Sequence, residues 1–302
     1  MRFFDLHCDT AGECFKTGSA LRSNSLHVSL ERARCFEKYT QVFAIWLDDV
    51  LTGEDAVSYF YSAAECFNKE LEANSAEISP YPGDSPVNAI LSAEGGSAVG
   101  SDISGLERLY ENGVRLMTLT WNGNNAIAGG AFSSGGLTQF GKQVVKRMNA
   151  LGMVVDVSHL NRDSFWETAA ATDYPFIASH SNLDISDNFA AHARNLTSEQ
   201  AKEIIARDGL IGINFCRDFI ETETERGFEA VYRQIYELSL LGGEKCTVFG
   251  SDFDGCEMAE ELAGIEKMPQ LYSYLLSRDI PRETLDGIFF GNADRFFSQR
   301  FK

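Results

Sequence analysis

Short hydrophobic runs alternate with amphipathic segments along the whole chain. Most of the runs are continuous rather than alternating, which is typical of strands buried on both faces of a parallel sheet. The segments between them carry apolar residues at three- and four-residue spacing, which predicts helices with one buried face. The eight predicted strands cover residues 3–8, 41–47, 89–93, 115–121, 153–158, 176–179, 210–215 and 247–251. The predicted helices cover residues 30–39, 55–72, 106–112, 138–151, 163–171, 198–206 and 228–241.

Eight strands that alternate with helices predict a (β/α)8 TIM barrel. The intervals between the strands are irregular but never long enough to need another domain, which favours a single domain over residues 1–302. The alternative architecture is an open, doubly wound sheet. That fold typically carries a Gly-rich dinucleotide-binding loop after its first strand. The segment that follows the first hydrophobic run, residues 5–12, contains no GxGxxG motif.

Charge and composition narrow the class of protein. With 26 Lys and Arg against 44 Asp and Glu, the formal net charge is −18, which disfavours binding to nucleic acid or to an anionic membrane surface. The sequence shows neither a signal peptide nor an apolar run of membrane-spanning length. Seven cysteines without a CxxC pair fit reduced thiols. We therefore expect a soluble, cytoplasmic protein without a disulfide framework.

Ionisable residues cluster where the predicted strands end. In a TIM barrel, chemistry is located at the carboxyl ends of the strands, so side chains from distant segments converge there. Three of the five histidines and two acids lie at such positions: His7, Asp9, Glu94, His159 and His180. His7 and Asp9 are two residues apart, so both can face one ion from an extended strand.

Three imidazoles and two carboxylates form a ligand set suited to Zn²⁺, with Mn²⁺, Co²⁺ or Fe²⁺ also compatible. Five ligands exceed the needs of one tetrahedral site. Because a carboxylate has two oxygens, Glu94 could bridge two ions, and the other four residues would complete the two sites. Two adjacent cations would lower the pKa of a bridging water towards neutrality, which predicts a hydrolase that uses a metal-bridging hydroxide.

Three further residues are candidates for roles around this centre. Asp252, which follows the eighth predicted strand, could carry a proton from the water to a leaving group, and Asp254 is its rival. Arg194, placed in a loop before a helix that begins near Thr197, could hold a substrate carboxylate, although a surface arginine is the simpler interpretation. The remaining histidines, His27 and His192, are interpreted as ordinary loop residues.

Seven segments taken together resemble the successive motifs of the renal, or membrane, dipeptidase family of the amidohydrolase superfamily. They occur in the same order as in that family and extend over nearly the whole chain. The segments are Asp-Leu-His-Cys-Asp-Thr at residues 5–10, Ser-Ala-Glu-Gly-Gly at 92–96, Leu-Met-Thr-Leu-Thr at 116–120, Asp-Val-Ser-His at 156–159, Ser-His-Ser at 179–181, Ala-Arg-Asn at 193–195 and Gly-Ser-Asp-Phe-Asp-Gly at 250–255.

The resemblance implies a dipeptidase on a TIM barrel that binds two Zn²⁺ ions and forms a homodimer. In the family pattern His7 and Asp9 bind the first zinc. His159 and His180 bind the second zinc, and Glu94 bridges the two ions. Asp252 matches the catalytic aspartate and Arg194 the arginine that binds the substrate carboxylate. Family members cleave dipeptides with a free carboxylate and often accept a D-residue in the second position.

One departure from the family concerns the segment after the fourth predicted strand. The mammalian enzymes carry a histidine there, whereas this chain has Trp121 followed by Asn122. Because an indole N–H reaches differently from an imidazole, substrate binding by Trp121 and Asn122 is expected to differ from that of the mammalian enzymes.

Two other functions remain open at this point. The first keeps the metal centre but changes the substrate to a lactone, an N-acyl amino acid or a cyclic amide. A substrate without a carboxylate should be indifferent to the loss of Arg194. The second alternative is a barrel that binds a small ligand without turnover.

Overall fold

The computed structural model describes residues 1–185 and 189–301. Nine parallel strands form one sheet, and hydrogen bonding between its second and fourth strands closes that sheet into a barrel. The strands are β1 (Arg2–Cys8), β2 (Lys38–Trp46), β3 (Ile78–Pro80), β4 (Val87–Glu94), β5 (Val114–Thr118), β6 (Val154–Asp156), β7 (Ile177–Ala178), β8 (Leu210–Ile213) and β9 (Thr247–Phe249).

Eight of these strands form the barrel wall in the order β2-β1-β9-β8-β7-β6-β5-β4. The short strand β3 pairs with the beginning of β4 and lies outside this ring. The predicted TIM barrel is therefore confirmed, and each of the eight predicted strands corresponds to a barrel strand. The alternative of an open sheet is wrong, because β4 pairs with both β2 and β5 and leaves no free edge between them.

Helices surround the barrel and agree with the predicted segments, with one exception. The prediction of a helix over residues 30–39 is wrong after residue 33, because Lys38 already begins β2. The helices are α1 (Thr10–Thr17), α2 (Leu30–Ala33), α3 (Gly53–Ala73), α4 (Ser104–Glu111), α5 (Gln139–Leu151), α6 (Arg162–Ala171), α7 (Phe189–Arg194), α8 (Ser198–Ala206), α9 (Arg217–Ile220), α10 (Gly227–Leu240), α11 (Met268–Leu276), α12 (Arg282–Asp286) and α13 (Asn292–Ser298). Within the described ranges, no helix combines the length and the apolar character needed to cross a bilayer.

The lower half of the barrel interior is apolar and is closed by the C-terminal helix. Every strand of the wall contributes at least one inward apolar side chain to this cluster. Phenylalanines from the end of the chain seal it from below, because α13 crosses the amino ends of the strands. The cluster contains Phe4, Leu6, Val42, Ile90, Leu116, Val154, Ile177, Leu210 and Val248, and below them Phe290, Ala293, Phe296 and Phe297.

The upper half of the interior is polar, although it is equally buried. Asp5 accepts hydrogen bonds from Gln41 and from the backbone N–H and hydroxyl of Ser251. Burial raises the pKa of Asp5 to about 6, even though these hydrogen bonds favour its charged form. Because Asp5, Gln41 and Ser251 are all buried, their hydrogen bonds to one another fix their orientations. They form a polar layer directly below the mouth of the barrel.

Candidate metal centre and cavity

The structure brings together all five residues that the sequence suggests as metal ligands. His7 lies within β1 and Glu94 is the last residue of β4. The other three lie immediately after strands, and all five side chains are buried. Two overlapping groups have ligand atoms within 4.8 Å of one another, one formed by His7, Glu94 and His180 and the other by His7, Asp9 and Asp252.

Glu94 occupies the middle of this group and presents one carboxylate oxygen to each side. Its Oε2 lies 3.3 Å from His7 Nε2. Its Oε1 lies 2.9 Å from His159 Nε2 and 3.4 Å from His180 Nε2. This carboxylate therefore stands between two sets of imidazoles, and that arrangement suits a ligand shared between two cations.

The Nδ1 atoms of His159 and His180 have hydrogen-bond partners that define which ring nitrogen carries the proton. His159 Nδ1 lies 3.0 Å from the side-chain oxygen of Asn122, so it must donate. His180 Nδ1 lies 2.8 Å from Ser179 Oγ, and that hydroxyl already donates to Asp156. Both neutral rings therefore carry a lone pair on Nε2.

These two Nε2 atoms face each other at 2.8 Å and both lie beside the Glu94 carboxylate. Burial lowers the pKa of His159, and the positive charge of Arg194 lowers it further. Burial also lowers the pKa of His180, as does the nearby His7. Two lone pairs and a carboxylate in contact repel one another unless a cation lies between them, so these residues fit a metal ion.

On the other side of Glu94, two buried polar atoms have no hydrogen-bond partner among the described residues: His7 Nε2 and Asp9 Oδ1. Burial works against a charge on His7, yet the carboxylates of Glu94 and Asp9 raise its pKa well above the usual range. Burial together with the charge of Glu94 raises the pKa of Asp9 to about 7. Because unpaired buried polar atoms are rare, this position also fits a cation.

Asp252 lies at the rim of the same group. Its Oδ2 accepts a hydrogen bond from Asn214, and its Oδ1 lies 3.8 Å from His7 Nε2. Its backbone has a φ of 64°, a left-handed conformation that is uncommon outside glycine, and His159 has a φ of 66°. Gly255 is required beside them, because a Cβ at that position would lie 2.0 Å from Asp9 Oδ2 and 2.5 Å from Asp252 Oδ1.

Asp254, the alternative candidate to Asp252 for proton transfer, forms hydrogen bonds to other parts of the chain with both carboxylate oxygens. One of its oxygens accepts from the His27 backbone N–H and the other from the Thr10 hydroxyl. The Asp254 N–H donates to His27 Nδ1, so His27 links the loop before α2 to the loop after β9. His27 lies in a loop, as predicted, whereas the prediction of a loop position for His192 is wrong, because His192 lies in α7 and its Nδ1 is 2.6 Å from Asp184 Oδ1.

Arg194 is the last residue of α7 rather than a loop residue. Its side chain is buried, its Nη2 lies 3.4 Å from the His180 carbonyl oxygen, and its guanidinium stacks over Phe219 at 5.3 Å. Burial lowers the pKa of Arg194, but the guanidinium stays positively charged. Among residues 1–185 and 189–301 no acid forms an ion pair with Arg194, and its Nε has no partner. A buried guanidinium of this kind fits an anionic group of a ligand.

A cavity of about 430 Å³ opens at the mouth of the barrel beside this centre. Trp121 and Asn122 both line it, and their role in substrate binding stays a prediction. The cavity is also lined by Asp9, Glu94, His159, Arg194 and Asp252. Three further residues were not predicted: Trp46, which lines the cavity, Asn214, which binds Asp252, and Ser179, which binds His180. Asn214, Ser179 and Trp46 escaped notice because single Asn, Ser and Trp residues near a strand end have no distinctive spacing.

Comparisons with known proteins agree with this architecture. A family model described as membrane dipeptidase, peptidase family M19, matches residues 1–300. An uncharacterized protein in the pqqA 5' region of Klebsiella pneumoniae is 30% identical over 231 residues, which cover 72% of this chain and 84% of the relative.

Two solved structures share the fold. One is a metallopeptidase from Rhodobacter sphaeroides liganded with a phosphinate mimic of the dipeptide L-Ala-D-Ala, with a TM-score of 0.90 and 22% identity over 100% of this chain and 99% of that one. The other is dipeptidase AC, a metallopeptidase of family M19, with a TM-score of 0.90 and 23% identity over 100% of this chain and 99% of that one.

Proposed function

Because the chain belongs to the membrane dipeptidase family, peptidase family M19, and is therefore a hydrolase of the metallo-dipeptidase type, we propose that it is a zinc-dependent dipeptidase. Its substrates are dipeptides with a free C-terminal carboxylate, including those with a D-residue in second position. The observation that carries this proposal is the position of Glu94 between His7 and the pair of His159 and His180. The same cavity contains a buried arginine that pairs with no acid of the described residues.

In this proposal two Zn²⁺ ions are held by the residues of the candidate centre, although Mn²⁺, Co²⁺ or Fe²⁺ would suit the same ligands. His7 and Asp9 would hold one ion, and His159 and His180 would hold the other. Glu94 would contribute to both. Zinc at this position would supply Lewis acidity and would acidify a water molecule.

The residues of the chain orient the dipeptide and move the proton. Arg194 binds the C-terminal carboxylate by charge-assisted hydrogen bonds and thereby places the scissile carbonyl near Glu94. Asp252 accepts a proton from the attacking water through Oδ1 and delivers it to the departing amine, while Asn214 holds its other oxygen. The resemblance to the family also leads us to propose a cytoplasmic homodimer, and the seven free cysteines are compatible with a reducing compartment.

A direct test is hydrolysis of a panel of L,L- and L,D-dipeptides by protein reconstituted with zinc, together with metal analysis of the same sample. We expect turnover that follows the zinc content and that is lost after chelation. Absence of hydrolysis across the panel by zinc-loaded protein would reject the dipeptidase assignment. Hydrolysis of a lactone or an N-acyl amino acid in its place would favour the alternative substrates.

Replacing Arg194 by methionine should raise KM for dipeptides and lower kcat/KM by about 10- to 150-fold, because a charge-assisted hydrogen bond contributes roughly 1.5–3 kcal/mol. Steady-state kinetics with a dipeptide and with its C-terminal amide provide the measurement. The amide should already be a poor substrate for the unaltered enzyme and should respond little to Arg194→Met. Arg233→Met, on the outer face of α10, is the matched control. Equal losses for both substrates would show that Arg194 does not bind the carboxylate.

Replacing Ser179 by alanine should weaken metal binding by about 10- to 100-fold, because His180 Nδ1 would lose the acceptor that orients its ring. The readout is metal affinity measured by competition with a chromophoric chelator. Ser239→Ala removes a hydroxyl on α10 that donates to the Tyr236 carbonyl oxygen, and it should leave the affinity unchanged. Unaltered affinity in Ser179→Ala would contradict the orienting role.

A further inference from the structure

Two tryptophans form a corner of the cavity beside Glu94. Trp46 is the last residue of β2 and is the register partner of Glu94, while Trp121 follows β5, the neighbour of β4 on the other side. Their ring centroids are 5.0 Å apart and their planes meet at 71°. Both side chains are half-buried and line the cavity. We call Trp46 and Trp121 the indole corner.

The Trp46 side of the indole corner lies across the barrel mouth from Arg194. In the closed ring of eight strands, β2 and β7 are four positions apart in either direction, so their ends are diametrically opposite. Arg194 is anchored at the end of β7 by its contact with the His180 carbonyl oxygen. A dipeptide whose carboxylate is bound by Arg194, and whose scissile carbonyl lies near Glu94, therefore extends its first residue towards the corner.

Charge next to the corner is already neutralised. The Lys16 ammonium lies 4.6 Å from the centroid of the Trp46 ring and 2.8 Å from Glu13 Oε1. Because Lys16 is paired with Glu13, its charge beside Trp46 is offset, and the two indole rings present aromatic surface to the cavity. Such a surface favours burial of an aromatic or aliphatic side chain.

We propose that the indole corner is the specificity site for the N-terminal residue of the dipeptide and that it selects large aromatic or aliphatic side chains. This inference rests on the proposed dipeptidase function. Apolar contact with two indoles should raise kcat/KM for Phe-Ala or Leu-Ala about 10- to 100-fold over Gly-Ala. Asp-Ala and Lys-Ala should be no better than Gly-Ala.

The first test measures kcat/KM for these dipeptides with the unaltered enzyme and with Trp46→Ala and Trp121→Leu. In both variants the ratio of kcat/KM for Phe-Ala or Leu-Ala to kcat/KM for Gly-Ala should fall towards one, and this ratio is unaffected by a general loss of activity that is equal for all three substrates. The third tryptophan of the chain, Trp166, is exposed on α6 outside the cavity, so Trp166→Ala is the matched control and should keep the preference. Equal kcat/KM across first residues, or a best substrate with a charged first residue, would overturn the inference.

The second test does not depend on variants of the corner. In Trp166→Phe all tryptophan emission comes from Trp46 and Trp121, because the chain contains only 3 tryptophans. Titration with L-leucine, a product of Leu-Ala hydrolysis, should change this emission at concentrations at least about tenfold lower than glycine does. Identical responses to the two amino acids would reject the corner as the binding site. If no dipeptide is cleaved at all, the proposed function fails, whereas unselective cleavage rejects this inference alone.

Discussion

Replacing Glu94 by alanine should remove both bound metal and turnover. Its two oxygens face different sets of histidines, so one substitution takes a ligand from each side of the centre. We expect turnover to fall by at least about 10³-fold, equivalent to ~4 kcal/mol of transition-state stabilisation. Metal content by elemental mass spectrometry should fall in parallel, from two ions towards none.

Two additional measurements separate this explanation from misfolding. Glu94→Gln preserves the volume and one neutral oxygen ligand, and it should keep more metal than Glu94→Ala while remaining nearly inactive. With both proteins metal-free, the pKa of His7 should be lower in Glu94→Ala than in the unaltered protein, because burial would then be opposed chiefly by Asp9. NMR titration of the imidazole measures this shift. Full metal content and turnover in Glu94→Ala would exclude Glu94 from the centre.

Replacing Asp252 by asparagine should lower kcat by about 10²- to 10⁴-fold while the metal content stays intact. The amide has nearly the shape of the carboxylate and can still accept from Asn214, but it cannot take up a proton. Asparagine also tolerates the left-handed backbone at this position, where φ is 64°. The measurements are single-turnover kinetics and metal analysis of the same preparation.

Asp254→Asn is the matched comparison, two residues along the chain. Because Asp254 binds the His27 backbone and Thr10, we expect Asp254→Asn to lower the thermal midpoint. Its kcat should fall much less than that of Asp252→Asn. A loss of metal in Asp252→Asn would instead make Asp252 a ligand, as its proximity to His7 and Asp9 allows. Unchanged kcat with full metal content would remove Asp252 from the proton transfer.

The hydrophobic pattern predicted most elements because burial on both strand faces leaves a clear signal in the sequence. It failed at residues 34–39, where Phe36 and Tyr39 are three apart and fit a helical stripe. In the fold they stack on Phe3 of the neighbouring strand, and pairing of β2 with both β1 and β4 imposes an extended backbone. Local spacing could not reveal this, because the deciding contacts come from other segments.

The sequence by itself determined the alternation of strands and helices, hence the barrel, and the kinds of ligand atom at the strand ends, because these depend on local periodicity and residue chemistry. Only the tertiary structure decided which oxygen of Glu94 faces which histidine, that Ser179 and Asn122 set the ring protonation, and that Trp46 meets Trp121. It also assigned Asp254 to His27, 227 residues away. These choices depend on distances between side chains from different strands, and such distances exist only once the barrel closes.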